Sequence, residues 1–116
     1  MPPKNLFGAP TQKVLRKVRK RVLKACLDVA ILAELSEKKV LSATNIILFF
    51  EKRFEIQLSA GTVYPVLYAL ERDGKIRRLP NRRKTFYVLT SKGEEIIKDI
   101  QGSVGELYSI IDELLG

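Results

Sequence analysis

The chain has 116 residues, 46% hydrophobic and 29% charged, a composition that suits one folded domain and is too apolar for a disordered tail. Twenty-one lysines and arginines stand against thirteen acids, a formal net charge of +8, with no histidine and a single cysteine. Zinc sites of the usual types and histidine-based acid–base catalysis are therefore excluded or disfavoured, and an internal disulfide is impossible, so a reducing compartment is expected.

No apolar run approaches the roughly 18 residues of a membrane span, and the opening Met-Pro-Pro-Lys-Asn-Leu-Phe lacks the hydrophobic segment of a signal peptide. A cytoplasmic protein with no membrane partner is the expectation. The positive charge is unevenly placed: residues 1–24 hold eight cations and no acid, residues 75–84 hold six cations and no acid, and the remainder is net acidic. Two localised cationic segments on an otherwise acidic chain are the footprint of a polyanion partner, with nucleic acid favoured over an anionic membrane.

Residues 1–10 carry three prolines and a glycine and read as an irregular arm. Thr11 offers a cap, and Leu15, Val18, Val22, Ala25, Val29 and Leu32 follow at spacings of three and four, which predicts one long amphipathic helix over 12–36 with Cys26 as a small buried hydrophobe. Its first half is dense in cations, among them Lys13, Arg16, Lys17 and Lys20. Cations at this density repel one another, so contact with DNA or packing against a partner with incidental charge are both open.

Ser42 can cap a helix running to about Phe54, with Ile46, Ile47, Phe50 and Phe54 inward, the positioning helix of a helix-turn-helix. Ser42 and Thr44 at its start are candidate DNA contacts. Glu55-Ile56-Gln57-Leu58 is short enough to be a turn or a single strand. From Ser59 a second helix is predicted, capped by the serine hydroxyl and closed at Gly74, where a left-handed residue is wanted. Val63, Leu67 and Leu70 form its buried stripe, which leaves Ala60, Gly61, Thr62, Tyr64, Pro65 and Tyr68 free for DNA; Tyr64 and Tyr68 have local packing as the alternative. The small residues at its amino end allow close approach to a groove, and the free amides there suit a phosphate.

Ile76–Leu79 and Thr85–Leu89 read as two short strands around Pro80-Asn81, with Arg78, Arg82, Arg83 and Lys84 as candidate backbone contacts. Ser91-Lys92-Gly93-Glu94 has the form of a capping box. Beyond it Ile97, Ile100, Val104, Leu107, Ile111 and Leu114 repeat like a coiled-coil seam and make a candidate dimer interface; a helix folding back on its own domain is the alternative. Gly102 and Gly105 can break this helix, with Ser103 and Glu106 as a second possible capping box.

The string Gly61-Thr62-Val63-Tyr64-Pro65, then Leu67, Leu70-Glu71, Gly74 and Ile76, resembles the recognition-helix signature of the PadR family of winged-helix transcription regulators. Ile31–Leu35, Ile46-Ile47, Phe50–Phe54, Tyr87, Leu89-Thr90 and Gly93 extend the similarity over roughly residues 28–93, although Leu41-Ser42-Ala43-Thr44 stands where the family often opens its second helix with Gly-Tyr. The resemblance implies a prokaryotic protein, a C-terminal dimerisation helix and, often, repression of a promoter.

The expected fold class is mainly α with a small β-hairpin wing (α+β): an arm over 1–10, a winged helix-turn-helix over 11–90 with an extended basic first helix, and a helical dimerisation segment over 91–116. The expected function is sequence-specific double-stranded DNA binding as a homodimer, as a repressor-like transcription regulator. An architectural DNA-coating protein and a winged-helix protein-interaction module are the alternatives. An enzyme is not expected, since no nucleophile-with-base arrangement, phosphate-binding glycine loop or metal spacing is found, and no cofactor is expected. No residue points to a particular small-molecule effector.

Overall fold

The computed structural model describes residues 9–81 and 83–116. Most of the expected arm and Arg82 fall outside the described residues. In chain order come α1 (Ala9–Ala25), α2 (Leu27–Lys38), β1 (Leu41–Ser42), α3 (Ala43–Phe54), α4 (Ala60–Arg72), β2 (Ile76–Leu79), β3 (Phe86–Leu89), α5 (Ser91–Gly102) and α6 (Val104–Leu115).

The core is built by three helices and closed by a small sheet. Leu27, Ile31, Leu32 and Leu35 of α2 meet Ile46 and Phe50 of α3 and Val63, Leu67 and Leu70 of α4, all buried. The i, i+4, i+7 stripe expected of α4 therefore faces inward, each buried aliphatic side chain contributing about 1.5–3 kcal/mol. The sheet is antiparallel in the order β1-β3-β2, so Tyr87 on the central strand stands between Leu41 and Arg78. Its third strand is the residue pair Leu41-Ser42. Glu55–Leu58 is instead a non-strand connection that sinks Ile56 and Leu58 into the core.

Both ends of α4 form as its sequence predicts. Ser59 Oγ accepts from the Thr62 amide at 3.2 Å, and at the other end the Gly74 amide donates to the Glu71 carbonyl and the Lys75 amide to the Leu70 carbonyl, a Schellman closure with Gly74 at φ +75°. Ser42 likewise caps α3, in a reciprocal box with Asn45.

The single helix expected over 12–36 bends at Cys26, which is exposed and not a core residue. Cys26 takes φ −101° and ψ 15°, a bridge-region conformation that re-aims the axis while the amides of Cys26 and Ala30 keep their i−4 partners. The bend lets α2 follow the core and sends α1 outward, so Leu15, Val18 and Val22 are exposed while Leu32 is buried. α1 is already helical at Ala9, ahead of the expected cap at Thr11, and Pro10 suits that first turn because the amide it lacks has no helical partner there anyway.

Two capping expectations fail, each because a hydroxyl finds another partner. Thr90, not Ser91, caps α5: its hydroxyl accepts from the Gly93 amide at 3.1 Å and donates to the Gly74 carbonyl at 2.6 Å, a contact with the end of α4 that Ser91 lacks. Ser103 sits at the break between α5 and α6 but caps nothing, because its hydroxyl donates back to the Asp99 carbonyl. Ile97 belongs to the core of its own chain rather than to an uncovered seam, and among the described residues of α6 none is buried.

Candidate nucleic-acid interface

The exposed surface of α4 is assembled at its amino end. Ala60, Gly61, Tyr64, Pro65 and Tyr68 all reach solvent, Tyr68 at 60% exposure, because the stripe at Val63, Leu67 and Leu70 holds the opposite face in the core. Thr62 is half-buried, with its hydroxyl 3.1 Å from that of Ser59. A methyl group added at Gly61 would meet nothing nearer than Ser59 Oγ at 3.7 Å, so packing within the chain does not require glycine there. Pro65 lacks the amide that would bond the Gly61 carbonyl four residues back, so that carbonyl has no i+4 helical donor.

The wing lies against the same helix. Tyr64, Tyr68 and Glu71 follow one another at helical spacing, and Glu71 Oε2 accepts a hydrogen bond from Arg78 Nε of β2 at 2.7 Å. Arg78 is thus committed to an ion pair that ties the wing to α4, and the hydrogen bond raises its pKa further. Glu71 belongs to the recognition-helix resemblance, but its pairing with Arg78 was not read from the sequence. The signal was present in β2, where period-two alternation puts Arg78 on the same face as buried Ile76 and hence toward α4. Burial pushes the phenol of Tyr87, paired across the strand with Arg78, upward.

Arg77, Arg83 and Lys84 are exposed, and the tip is shaped by Asn81, whose Oδ1 accepts from the Arg83 amide at 3.2 Å. Arg82 is outside the described residues. Ser42, 3% exposed, spends its hydroxyl on the cap of α3 and offers no surface contact, whereas Thr44 is exposed. Lys13, Arg16, Lys17 and Lys20 of α1 are exposed; Arg16 and Lys20 line a groove with Phe54, Glu55, Ile56 and Gln57, just before the amino end of α4. Of the candidate dimer residues, Ile97 is buried, Ile100 half-buried, and Val104, Leu107, Ile111 and Leu114 exposed.

Among the described residues no cluster of His, Cys, Asp and Glu could hold a metal, and no helix is long and apolar enough to cross a membrane.

No family model and no curated protein matches the chain. Solved structures do. A PadR-like transcription factor from Bacteroides fragilis is 25% identical with a TM-score of 0.67, over 84% of this chain and 98% of its own. A PadR family transcriptional regulator from Eggerthella lenta superposes with a TM-score of 0.72 at 17% identity, covering 93% of this chain and 97% of its own. F93 from STIV, a winged-helix DNA-binding protein, gives 0.61 at 24% identity over 68% and 87%. With its capped α4, three-stranded antiparallel sheet and flanking helices, the chain has a PadR-like winged-helix fold.

Proposed function

We propose that the protein is a homodimeric, sequence-specific double-stranded DNA-binding protein that regulates transcription, in a repressor-like manner. The observation that carries this reading is the joining of two surfaces: an exposed amino-terminal face on α4 and a cationic hairpin held against that helix by the Glu71–Arg78 pair. In this arrangement α4 enters the major groove, and Ala60, Gly61, Thr62, Tyr64 and Pro65 meet base edges while Arg77, Arg83 and Lys84 hold phosphates. None of the α4 residues is a bidentate donor of the arginine-to-guanine kind, so readout rests on hydroxyl, carbonyl, apolar and shape contacts. The likeness to a PadR-like transcription factor and to a winged-helix DNA-binding protein supports the same reading.

The test is selection of bound fragments from a random duplex pool, followed by competition of the selected site against scrambled DNA. Arg83→Ala with Lys84→Ala should weaken both sequences alike, whereas Thr62→Ala and Tyr64→Ala should each reduce the preference by about 1–3 kcal/mol per lost contact. Loss of discrimination in the wing variant with retention in the α4 variants would reverse the assignment of the recognition element. The dense cations of α1 favour a second reading, an architectural DNA-coating protein, and that reading predicts equal affinity for selected and scrambled DNA.

A further inference from the structure

The corner between α4 and the wing holds a polar cluster that the contacts named above leave unused. On the α4-facing side of the sheet Arg78 is paired across the ladder with Tyr87, and α4 sets Tyr68 and Glu71, one helical turn apart, beside them. Glu71 Oε2 accepts from Arg78 Nε at 2.7 Å, and among the described residues neither terminal nitrogen of Arg78 takes a partner. The Arg78 side chain is 53% exposed and that of Glu71 only 26%, so the inner partner is the acid and the free end of the guanidinium points outward to solvent.

We propose that Arg78 is a specificity-determining residue whose two terminal nitrogens read the O6 and N7 acceptors of a guanine in the major groove, with Glu71 as the positioning residue that holds Nε. The inference rests on the DNA-binding reading above and adds the bidentate donor that α4 itself lacks. Charge decides between a base edge and a phosphate. The Glu71 carboxylate offsets the charge of the guanidinium and would repel a phosphate brought beside it, whereas a guanine edge is neutral and offers two acceptors at the spacing of the fork. Among the described residues no carboxylate pairs with Arg77, Arg83 or Lys84, and these remain for phosphates. The anchor also fixes the plane of the guanidinium before DNA arrives, so less side-chain freedom is lost on contact than at the hairpin tip.

Glu71→Gln together with Arg78→Met removes the pair without changing net charge and keeps stems of similar length. Fragments selected from a random duplex pool by the unaltered chain should share a G·C pair that the double variant no longer selects. The other preferred positions should persist, which shows that the variant is folded and docked. At that pair the unaltered chain should favour G·C over A·T by about five- to 150-fold and the variant by less than about twofold. Placing 7-deazaguanine there, which lacks one of the two acceptors, should weaken the unaltered chain by at least about threefold and leave the variant unaffected, a coupling that a mere brace for the wing does not produce. The dependence of affinity on salt should be the same for both chains, because no phosphate contact is lost. A variant that keeps every preference, loses all of them alike, or differs only in a shallower salt slope overturns the assignment: the pair is then inert, a brace for the whole wing, or a phosphate contact. An unaltered chain with no preference at any base pair overturns sequence-specific binding itself, so the two failures are distinct.

Discussion

α4 and α6 are of nearly equal length, thirteen and twelve residues, and both are amphipathic, yet one has its apolar stripe in the core and the other has no buried residue. α4 is pinned at both ends by its own sequence and meets α2, α3 and β2. α6 follows an uncapped break at Ser103 and touches little beyond α5. The same periodicity therefore specifies a tertiary position in one helix and an uncovered apolar face in the other. What separates them is how many elements of the chain pack on the stripe: three on α4, and little beyond α5 on α6.

The largest difference between the two helices should appear on truncating their central leucines. Leu67→Ala empties a fully buried site in α4 and should cost about 2–5 kcal/mol in denaturant unfolding. Leu107→Ala in α6 should change the stability of the dilute monomer by less than about 0.5 kcal/mol while weakening the dimer. Equal effects on the monomer would mean that α6 packs on its own domain.

Glycines sharpen the contrast. Gly93 lies where the start of α5 presses on the turn after α4, and an added Cβ would fall 2.0 Å from the Lys75 carbonyl oxygen, so Gly93→Ala should cost about 1–3 kcal/mol as that turn is forced open. Nothing lies within 4 Å of a Cβ at Gly105 in α6, and Gly105→Ala should stabilise the helix by up to about 1 kcal/mol. Thermal unfolding of the two variants should shift in opposite directions.

The smallest of these effects concerns pH. Glu34 of α2 is 6% exposed, in a groove lined by Phe49, Phe54 and Gln101, and burial raises its carboxyl above the ordinary value of 4.5, opposed by Lys38 and reinforced by Glu37. The folded chain then holds this proton to higher pH than the unfolded chain does. The stability it contributes is present below the ordinary value and is lost as pH rises through the raised one. Glu34→Gln removes that loss, so the variant should gain on the unaltered protein as pH rises above the ordinary carboxyl value of 4.5. A difference independent of pH would contradict it.

These particulars show where the sequence was legible. The ends of α4, its buried stripe, the cap of α3 and the break near Gly102 are determined by residues within a few positions of one another, and each formed as the residue types require. The bend at Cys26 carries no proline or glycine to announce it, because the path of α2 over the core sets it. Thr90 and Ser91 are equivalent caps by local chemistry, and the Gly74 carbonyl, sixteen residues away, selects between them. β1, two residues long, exists only because β3 lies beside it. In the candidate site the exposed residues at the start of α4 followed from its stripe, whereas the Glu71 partner of Arg78 depends on how the wing docks.

The most direct measurement is the affinity for duplex DNA as salt is varied. With about 4–8 phosphates neutralised per dimer by the wing and α1, the slope of log K against log salt should be on the order of −4 to −7, and it should become shallower when Arg83 and Lys84 are replaced by Ala. An affinity indifferent to salt, or no binding at low salt, would contradict the assignment of this surface to DNA.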